Sequence, residues 1–182
     1  MILFWQKGFH ATSLKDLEAA LQMKPGSIYA AFHSKQALYL EAMDRYLRIS
    51  RESLADLAAR EASPLRALAQ FMRRFGTPEK VHRGPAICMI VKTLIDATQD
   101  EPEIEAAARA HLATMTRDFA ALFARAQAMG ELPASADPQL LARKFQMSIT
   151  ALRFEAQRSG GDGDLAALAE DMARDVERLR LH

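Results

Sequence analysis

Apolar residues recur every three or four positions along most of the chain, and this spacing predicts α-helices rather than strands. Near the N-terminus, Leu14, Leu17 and Leu21 follow the helical spacing. They predict a short helix over residues 13–22, and Thr12 stands at the position of its N-cap. A helix this short needs packing against its neighbours to be stable.

A second short helix is predicted directly after the first, over residues 26–32, because Pro25 and Gly26 form a turn between the two. Ile28 and Phe32 lie one helical turn apart and are expected to face inward. The side chains left outside are small or polar, namely Ser27, Tyr29, Ala30 and His33. Two short helices joined tightly, the second with a small polar outer face, are typical of a helix-turn-helix, whose second helix fits a DNA major groove.

The rest of the chain is also predicted to be helical. A helix over residues 1–7 is stopped by Gly8, and Ser34 caps a long helix that runs from 35 to about 62. Further helices are expected at 64–75, 85–98, 102–129, 138–158 and 164–181.

Glycine-containing segments divide the later helices. Residues 76–84 and 160–163 are predicted as a loop and a turn. Between them, residues 85–98 are apolar on nearly every side, which indicates a central position in the body of the protein. Their β-branched residues leave a buried strand as an alternative, although the helical surroundings favour a helix.

The last two helices each carry a long apolar stripe, which predicts an antiparallel helix pair. The two stripes contain Leu140, Leu141, Phe145, Ile149 and Leu152, and Leu165, Leu168, Met172, Val176 and Leu179. Such stripes either form core within the chain or meet a second copy of it.

Composition supports an all-α protein of ordinary size. The chain has 182 residues, 49% of them hydrophobic, which is enough to bury a full core as one domain or as a small head and a larger body. Its single cysteine excludes an internal disulfide framework and is typical of a reducing cytoplasm. No apolar run approaches the roughly 20 residues that span a membrane, so we expect a cytoplasmic protein without a membrane partner. The net charge of +1 is weak support for nucleic-acid binding.

The sequence does not support an enzyme or a metal protein. No glycine-rich phosphate loop follows a strand and no serine elbow occurs, so neither catalysis nor a cofactor is expected. The chain contains five histidines, His10, His33, His82, His111 and His182. None is spaced with a cysteine or a carboxylate as metal ligands are, so no metal site is expected.

One sequence motif in the first quarter of the chain consists of Gly8-Phe9, Thr12-Ser13, Leu17, Ala20, Gly26-Ser27-Ile28-Tyr29, Phe32 and Ser34-Lys35. In residue types and spacing, this motif resembles the DNA-binding signature of the TetR (tetracycline-repressor-like) family of bacterial regulators. The resemblance implies a three-helix DNA-binding head over residues 1–45 and a helical effector-binding and dimerisation body over residues 46–182. The family's first helix normally begins earlier, so the first helix looks short in this chain.

The resemblance also implies a function and its partners. Members of this family are ligand-responsive transcriptional regulators, commonly repressors. The last two helices are expected to join two copies into a homodimer. Two heads on a twofold axis then bind a near-palindromic operator in double-stranded DNA.

The DNA contacts expected from the motif are Thr12, Ser13, Lys24, Pro25, Gly26, Ser27, Tyr29, Ala30, His33 and Lys35. Lys24 and Ser27 can bond to bases or to phosphates, whereas Tyr29 is expected on a phosphate. Pro25 and Ala30 are placed to touch thymine methyl groups.

Three of these residues are expected to hold the DNA backbone because they stand at helix starts. Thr12, Ser13 and Lys35 lie where free backbone amides favour phosphate. For Thr12, and for the neighbouring Ser34, a helix-capping role and a DNA contact are equally good interpretations, and both can hold together.

An effector cavity within the body is the third implication, since apolar spaces between helices are common ligand sites. Its expected lining is Phe71, Phe75, Cys88, Met89, Lys92, His111, Met115, Phe119 and Phe154. For the apolar members ordinary core is the commoner role, because Met and Phe at helical spacing mostly fill interior space. Lys92 and His111 are more informative, since a buried ionisable group needs a partner. The apolar majority indicates a small, largely hydrophobic effector.

Two alternatives remain open. Cys88 lies one helical turn from Lys92, and a cationic neighbour favours the thiolate that a redox-sensing regulator of the same fold requires. The apolar helix around Cys88 instead favours a buried, inert thiol. The other alternative is a helical dimer that acts through protein partners and does not use its head on DNA.

Overall fold

The structure of the protein is a computed structural model that describes residues 1–77, 85–98, 100–159 and 164–180. These ranges contain nine helices. The helices are α1 (Ile2–Lys7), α2 (Leu14–Leu21), α3 (Pro25–Phe32), α4 (Lys35–Arg60), α5 (Pro64–Arg74), α6 (Met89–Asp96), α7 (Pro102–Ala128), α8 (Pro138–Ser159) and α9 (Leu165–Glu177). No strand occurs in these ranges, which confirms the all-α prediction. Most of the predicted loop 76–84 and the whole turn 160–163 lie outside the described residues.

Helices α1 to α3 form a small head against the beginning of α4. Their shared core contains Phe4 and Trp5 from α1, Leu17 from α2 and Ile28 from α3. Tyr39 of α4 closes this core, with its ring edge-on to Phe4 at a centroid distance of 4.9 Å. Each head helix is thus anchored by one or two buried side chains, as helices of one or two turns require.

The N-cap of α2 is Ser13, so the prediction of Thr12 as the cap was wrong by one residue. The Ser13 hydroxyl accepts a hydrogen bond from the Asp16 amide at 3.2 Å, and the Asp16 carboxylate accepts one from the Ser13 amide at 2.8 Å. These two bonds form a capping box. Thr12 is instead fully buried, and its hydroxyl donates to the carbonyl oxygen of Gly8 at 2.6 Å.

Residues with positive φ angles follow four of the described helices, and one of them is His33 after α3, with a φ of 63°. Gly8 has a φ of 82°, in agreement with its predicted stop role, although its ψ of 176° is extended rather than left-handed. Gln22 ends α2 in the left-handed conformation with a φ of 53°, which the sequence did not indicate. Gly130, predicted to stop the long helix of the body, has a φ of 74° just after α7.

The body is a bundle in which α5, α7, α8 and α9 enclose one apolar core, whose aromatic centre is formed by Phe71, Phe119, Phe123 and Phe145. The C-terminal helices differ from the predicted pair, because α9 packs most extensively on α5 and α8 on α7. Their contact with each other is smaller. The stripe residues Leu140 and Leu168 are exposed, whereas most of the other stripe residues are buried or partly buried in the core.

Helix α6 connects the head to the body. Its residues Met89 and Ile90 belong to the same apolar cluster as Trp5 of the head and Ile104 of α7. The Tyr39 hydroxyl also lies 2.7 Å from the Thr93 hydroxyl of α6. The core of the head therefore continues into the body through α6.

Helix α6 begins at Met89, four residues later than predicted. The reason is visible in the preceding turn, where the carbonyl oxygens of Ala86 and Ile87 accept side-chain hydrogen bonds from Arg153 and Trp5. In a helix those oxygens would accept from backbone amides one turn later. Side chains that are distant in the sequence therefore supply the hydrogen-bond donors that backbone amides would supply in a first helical turn.

Candidate DNA interface and effector cavity

The first turn of α3 lies on the surface of the head. Ile28 is buried and anchors the helix, while six predicted contact residues around it are exposed: Lys24, Pro25, Gly26, Ser27, Tyr29 and Ala30. Lys24 is the N-cap of α3 and makes no side-chain capping bond. His33 is also exposed and stands at the C-terminal end of α3.

The residues expected at helix starts fall into different environments. Ser13 is exposed beside the first turn of α2. The Lys35 ammonium lies 4.6 Å above the Phe9 ring and 3.5 Å from the His10 carbonyl oxygen, and partial burial lowers the pKa of Lys35. Thr12 is buried and its hydroxyl is already bonded, so its side chain cannot reach a phosphate in this structure.

An ion pair between Lys7 and Asp16 offsets one of the positive charges of the head. Lys7 donates to Asp16 at 2.5 Å, and this hydrogen bond, followed by those from Ser13, holds the pKa of Asp16 well below its usual range. The positive charge of Lys7 is thereby offset. Lys15 and Lys24 are exposed and have no ion pair with a described residue, so they supply much of the basic character of this face.

A narrow cavity of about 40 Å³ lies inside the body, where α4, α5, α6, α7 and α8 meet. Six of the nine predicted effector residues line it, namely Phe71, Phe75, Cys88, His111, Met115 and Phe119. Sequence reasoning missed its polar lining, which consists of Tyr46, Ser50, Gln146 and Arg153. The lining of the cavity therefore combines apolar and polar side chains.

The other three predicted effector residues lie elsewhere. Met89 is buried in the apolar cluster shared with the head, because it occupies the opposite face of α6. The Lys92 ammonium forms an ion pair with Asp96 at 2.6 Å, near Gly8 of the head. Phe154 is 60% exposed on α8, since it follows Arg153 directly and so points away from the cavity that Arg153 enters.

Arg153 is the most unusual residue of the cavity, because its charged side chain is only 5% exposed. Its Nε donates to the Ala86 carbonyl at 2.8 Å, its Nη2 to the Ile87 carbonyl at 3.2 Å, and its Nη1 to the Tyr46 hydroxyl at 2.7 Å. The guanidinium also lies 5.2 Å from the ring centroid of Phe75, a cation–π distance.

Tyr46 connects the guanidinium to the cysteine. Burial is the main cause that raises the pKa of Tyr46 far above its usual value, so the phenol is neutral. It accepts from Arg153 and donates to the Sγ atom of Cys88 at 3.5 Å. Cys88, the N-cap of α6, is only partly buried.

His111 also lines the cavity and lies between two acceptors. Its Nδ1 is 2.5 Å from the Ala107 carbonyl oxygen and its Nε2 is 2.8 Å from the Asp44 carboxylate. The sequence prediction that a buried His111 would have a partner is confirmed.

The two largest of the recesses found among the described residues are open to solvent. A cleft of about 700 Å³ lies between α4 and α7 and is bordered by the Arg51–Asp118 ion pair. None of the predicted effector residues lines it. An apolar groove of about 470 Å³ between α6 and α8 contains Cys88, Ile95 and Phe154.

Comparison with known families decides what kind of protein carries this head and body. The family described as "Bacterial regulatory proteins, tetR family" matches residues 1–42, and the family described as "Tetracyclin repressor-like, C-terminal domain" matches residues 62–172. The chain belongs to the TetR family. As a TetR-family protein it is a DNA-binding transcriptional regulator, which confirms the resemblance noted in the sequence.

Individual TetR-family relatives extend the comparison. The HTH-type transcriptional repressor ComR of Escherichia coli is 29% identical over 170 residues, which span 93% of this chain and 81% of ComR. A cysteine mutant of the TetR-family regulator CifR, solved with a 26 bp double-strand operator DNA, has a TM-score of 0.80 at 27% identity and covers 95% of this chain and 90% of that chain. A TetR-family regulator from Cytophaga hutchinsonii has a TM-score of 0.87, 17% identity and coverage of 98% and 90%, a likeness of fold alone.

Within the described ranges of this TetR-family chain, no helix is long and apolar enough to cross a membrane. The same ranges contain no group of three or more His, Cys, Asp or Glu side chains placed to hold a metal ion.

Proposed function

We propose that this TetR-family protein is a ligand-responsive repressor of the cytoplasm, which binds a near-palindromic operator as a homodimer and is released by a small, largely apolar effector. The observation that carries the proposal is the exposed first turn of α3, where small and polar side chains surround the single buried anchor Ile28. A surface of this kind fits a major groove because most of its exposed side chains are small, and the larger Lys24 and Tyr29 carry groups that bond to DNA.

The proposed DNA contacts have separate tasks. Lys24 donates to guanine or phosphate, and Ser27 bonds to either. Tyr29, which is 42% exposed, donates to a phosphate. Pro25 and Ala30 touch thymine methyl groups, and this small face makes specificity depend on few contacts.

Contacts at the edge of the interface come from Ser13, Gly26, His33 and Lys35. Ser13 places the start of α2 near a phosphate, and the backbone at Gly26 can approach the DNA closely because it has no side chain. Lys35 must leave its position above the Phe9 ring to reach a phosphate. Thr12 is omitted from this interface because its hydroxyl is buried.

A homodimer is supported by an exposed apolar stripe on α8. Leu140, Met147 and Phe154 are 47%, 69% and 60% exposed and lie seven residues apart, so they share one face of the helix. Leu168 of α9 is a further exposed apolar side chain at the C-terminus. Exposed apolar surface on helices is typical of an interface, and a twofold axis there sets the spacing of the two heads.

Effector release follows from the position of the cavity. It lies against α4, the long helix that begins in the head, and against Cys88, whose neighbour Ile87 accepts a hydrogen bond from Trp5 of the head. A ligand that prefers an enlarged cavity shifts both elements and changes the spacing of the recognition helices, α3 in each copy. The change in operator affinity is limited by the difference in ligand affinity for the two shapes.

A second candidate is a regulator of the same fold that senses oxidants through Cys88. The observation that favours it is that Cys88 lines both the internal cavity and the open groove between α6 and α8. The solved CifR complex is a cysteine mutant of that protein. Treatment with hydrogen peroxide should then lower operator affinity in the wild type and not in Cys88→Ser, and a wild type that is insensitive to peroxide removes this candidate.

A mobility-shift assay with the DNA that flanks the protein's own gene tests the proposed function. We expect a shift that weakens as salt increases, because phosphate contacts release counterions. A mutated half-site should weaken the shift more than a mutation between the half-sites. Absence of any salt-sensitive shift contradicts the proposal.

A further inference from the structure

The cavity contains a cation whose described partners are all neutral. Arg153 is 5% exposed and its guanidinium is always protonated. The described residues that bond to it are two backbone carbonyls and a phenol, and the nearest ring centroid is that of Phe75. These three hydrogen bonds leave two of the five guanidinium N–H groups without a described partner.

Two other arginines of the body pair with carboxylates, unlike Arg153, which has no such partner within the described ranges. Arg73 of α5 bonds to two carboxylates, those of Glu170 and Glu177, and Arg51 of α4 bonds to Asp118. Both are more exposed than Arg153, so the charge that most needs a counter-ion lacks one among the described residues. Burial of a charge without an opposite charge costs free energy, and a ligand of opposite charge would lower that cost.

We propose that the cavity binds an effector with a carboxylate group, and that Arg153 receives this group. The inference rests on the proposed function of a ligand-responsive regulator and specifies the chemical class of its ligand. A guanidinium presents two parallel N–H groups that match the two oxygens of a carboxylate. Phe71, Met115 and Phe119 also line the cavity, so the remainder of the effector is apolar. The ligand class is therefore a small, apolar carboxylic acid in its ionised form.

Binding of the acid is also expected to change the position of the DNA-binding head. An ionised carboxylate accepts from a guanidinium more strongly than a neutral carbonyl does, so a bound carboxylate competes with the carbonyl oxygens of Ala86 and Ile87 for Arg153 and weakens their hydrogen bonds. The cavity of about 40 Å³ is far smaller than the roughly 300–1,000 Å³ of ordinary ligand sites, so entry of an acid also requires it to widen. Both effects move the turn before α6. Because the Ile87 carbonyl also accepts from Trp5 of α1, the movement reaches the DNA-binding head.

Matched pairs of small molecules test the charge requirement. Hexanoate with hexanamide, and benzoate with benzamide, are titrated into the full chain near neutral pH, where the acids are ionised. Binding is measured by thermal shift and by calorimetry, with Arg153→Met and Arg153→Lys as variants. We expect the wild type to bind at least one acid and to reject its amide. Arg153→Met should bind the acid roughly tenfold to a hundredfold more weakly, and Arg153→Lys should retain part of the preference.

Several outcomes overturn the inference. They are equal binding of acid and amide in the wild type, no binding of any acid at millimolar concentration, and an unchanged preference for acid in folded Arg153→Met. If Arg153→Met fails to fold, the wild-type pairs and Arg153→Lys still decide. Operator affinity is measured separately without any acid. A protein that prefers acids but never binds DNA contradicts the proposed function alone, and one that binds DNA but no acid contradicts this inference alone.

Discussion

The indole nitrogen of Trp5 donates a hydrogen bond of 2.6 Å to the carbonyl oxygen of Ile87, a residue 82 positions later in the chain. The same oxygen accepts a second bond from Arg153 of α8. One peptide group thus connects the first helix of the DNA-binding head to a helix of the body. This connection is separate from the long helix α4, which also joins the head to the body.

Removal of the indole N–H should weaken this connection. Trp5→Phe keeps an aromatic ring in the core but leaves the Ile87 carbonyl with one donor fewer. We expect the free energy of unfolding to fall by about 1–3 kcal/mol, because a buried bond is lost and some space is left empty. Urea unfolding followed by circular dichroism measures this. Tyr39→Phe, which removes the neighbouring contact with Thr93, is the control for a different bond of the same interface, and an unchanged stability of Trp5→Phe contradicts the assignment.

Alanine substitutions at Gly76 and Gly26 should have different effects on stability and on DNA binding. A methyl group at Gly76 would lie 2.6 Å from the Ala169 Cβ atom where α5 meets α9, so Gly76→Ala should cost about 1–3 kcal/mol of stability. A methyl group at Gly26 meets no described atom within 4 Å, and Gly26→Ala should stabilise α3 by up to about 1 kcal/mol. The same methyl group projects from the proposed DNA face and should lower operator affinity. Unfolding curves and operator titrations of both variants check this, and a Gly26→Ala protein that binds the operator normally removes Gly26 from the interface.

Lys24 and Tyr29 are expected to differ in what they read. Tyr29→Ala should weaken binding to the operator and to unrelated DNA by the same factor, since a phosphate contact carries no sequence information. Lys24→Ala should lower the salt slope by about 1 and also change the preferred bases. Binding to a panel of operator variants at several salt concentrations distinguishes the two. Equal losses on all sequences from both substitutions contradict the division.

Helical periodicity was sufficient to place most of the helices, because each helix buries an apolar face whose spacing is local. It could not choose between Thr12 and Ser13 as the cap, since both residue types cap helices and only the fold decides which one is buried. It also extended α6 backwards over residues 85–88. There the deciding interactions come from Trp5 and Arg153, which are distant in sequence.

The candidate cavity was only partly predictable for a related reason. Phenylalanine and methionine at helical spacing indicated the interior, and most of those residues do line the cavity. Arg153 was missed because arginine is normally exposed, and its burial depends on Tyr46, a residue 107 positions away. The only local signal was a charge between the apolar residues Leu152 and Phe154. Phe154 was misplaced because an apolar residue looks the same in a sequence whether it faces a core or a surface.

A low pH should weaken the contact between α5 and α9. Hydrogen bonds from Arg73, followed by those from Arg174, lower the pKa of Glu170 to about 2, and Arg73 also lowers the pKa of Glu177. Since both carboxyls are more acidic in the folded state, their stabilisation is complete above the unfolded value of about 4.5 and is lost as the pH falls toward 2. Arg73→Met should therefore lose stability at neutral pH and depend less on pH in this window. Urea unfolding of both proteins across the window measures the difference, and parallel pH profiles contradict the prediction.

The exposed stripe of α8 should control assembly. Phe154→Glu places a charge in the middle of the proposed dimer interface, so we expect a monomer at concentrations where the wild type is a dimer. Operator affinity should fall by roughly two orders of magnitude or more, because the second head no longer binds as part of the same particle. Sedimentation velocity gives the oligomeric state, and circular dichroism shows whether the helices are intact. Ile49→Glu is the matched control, since Ile49 is also an exposed apolar residue but lies on α4, away from the stripe. A Phe154→Glu protein that sediments as the wild type does, or an Ile49→Glu protein that dissociates, places the interface elsewhere.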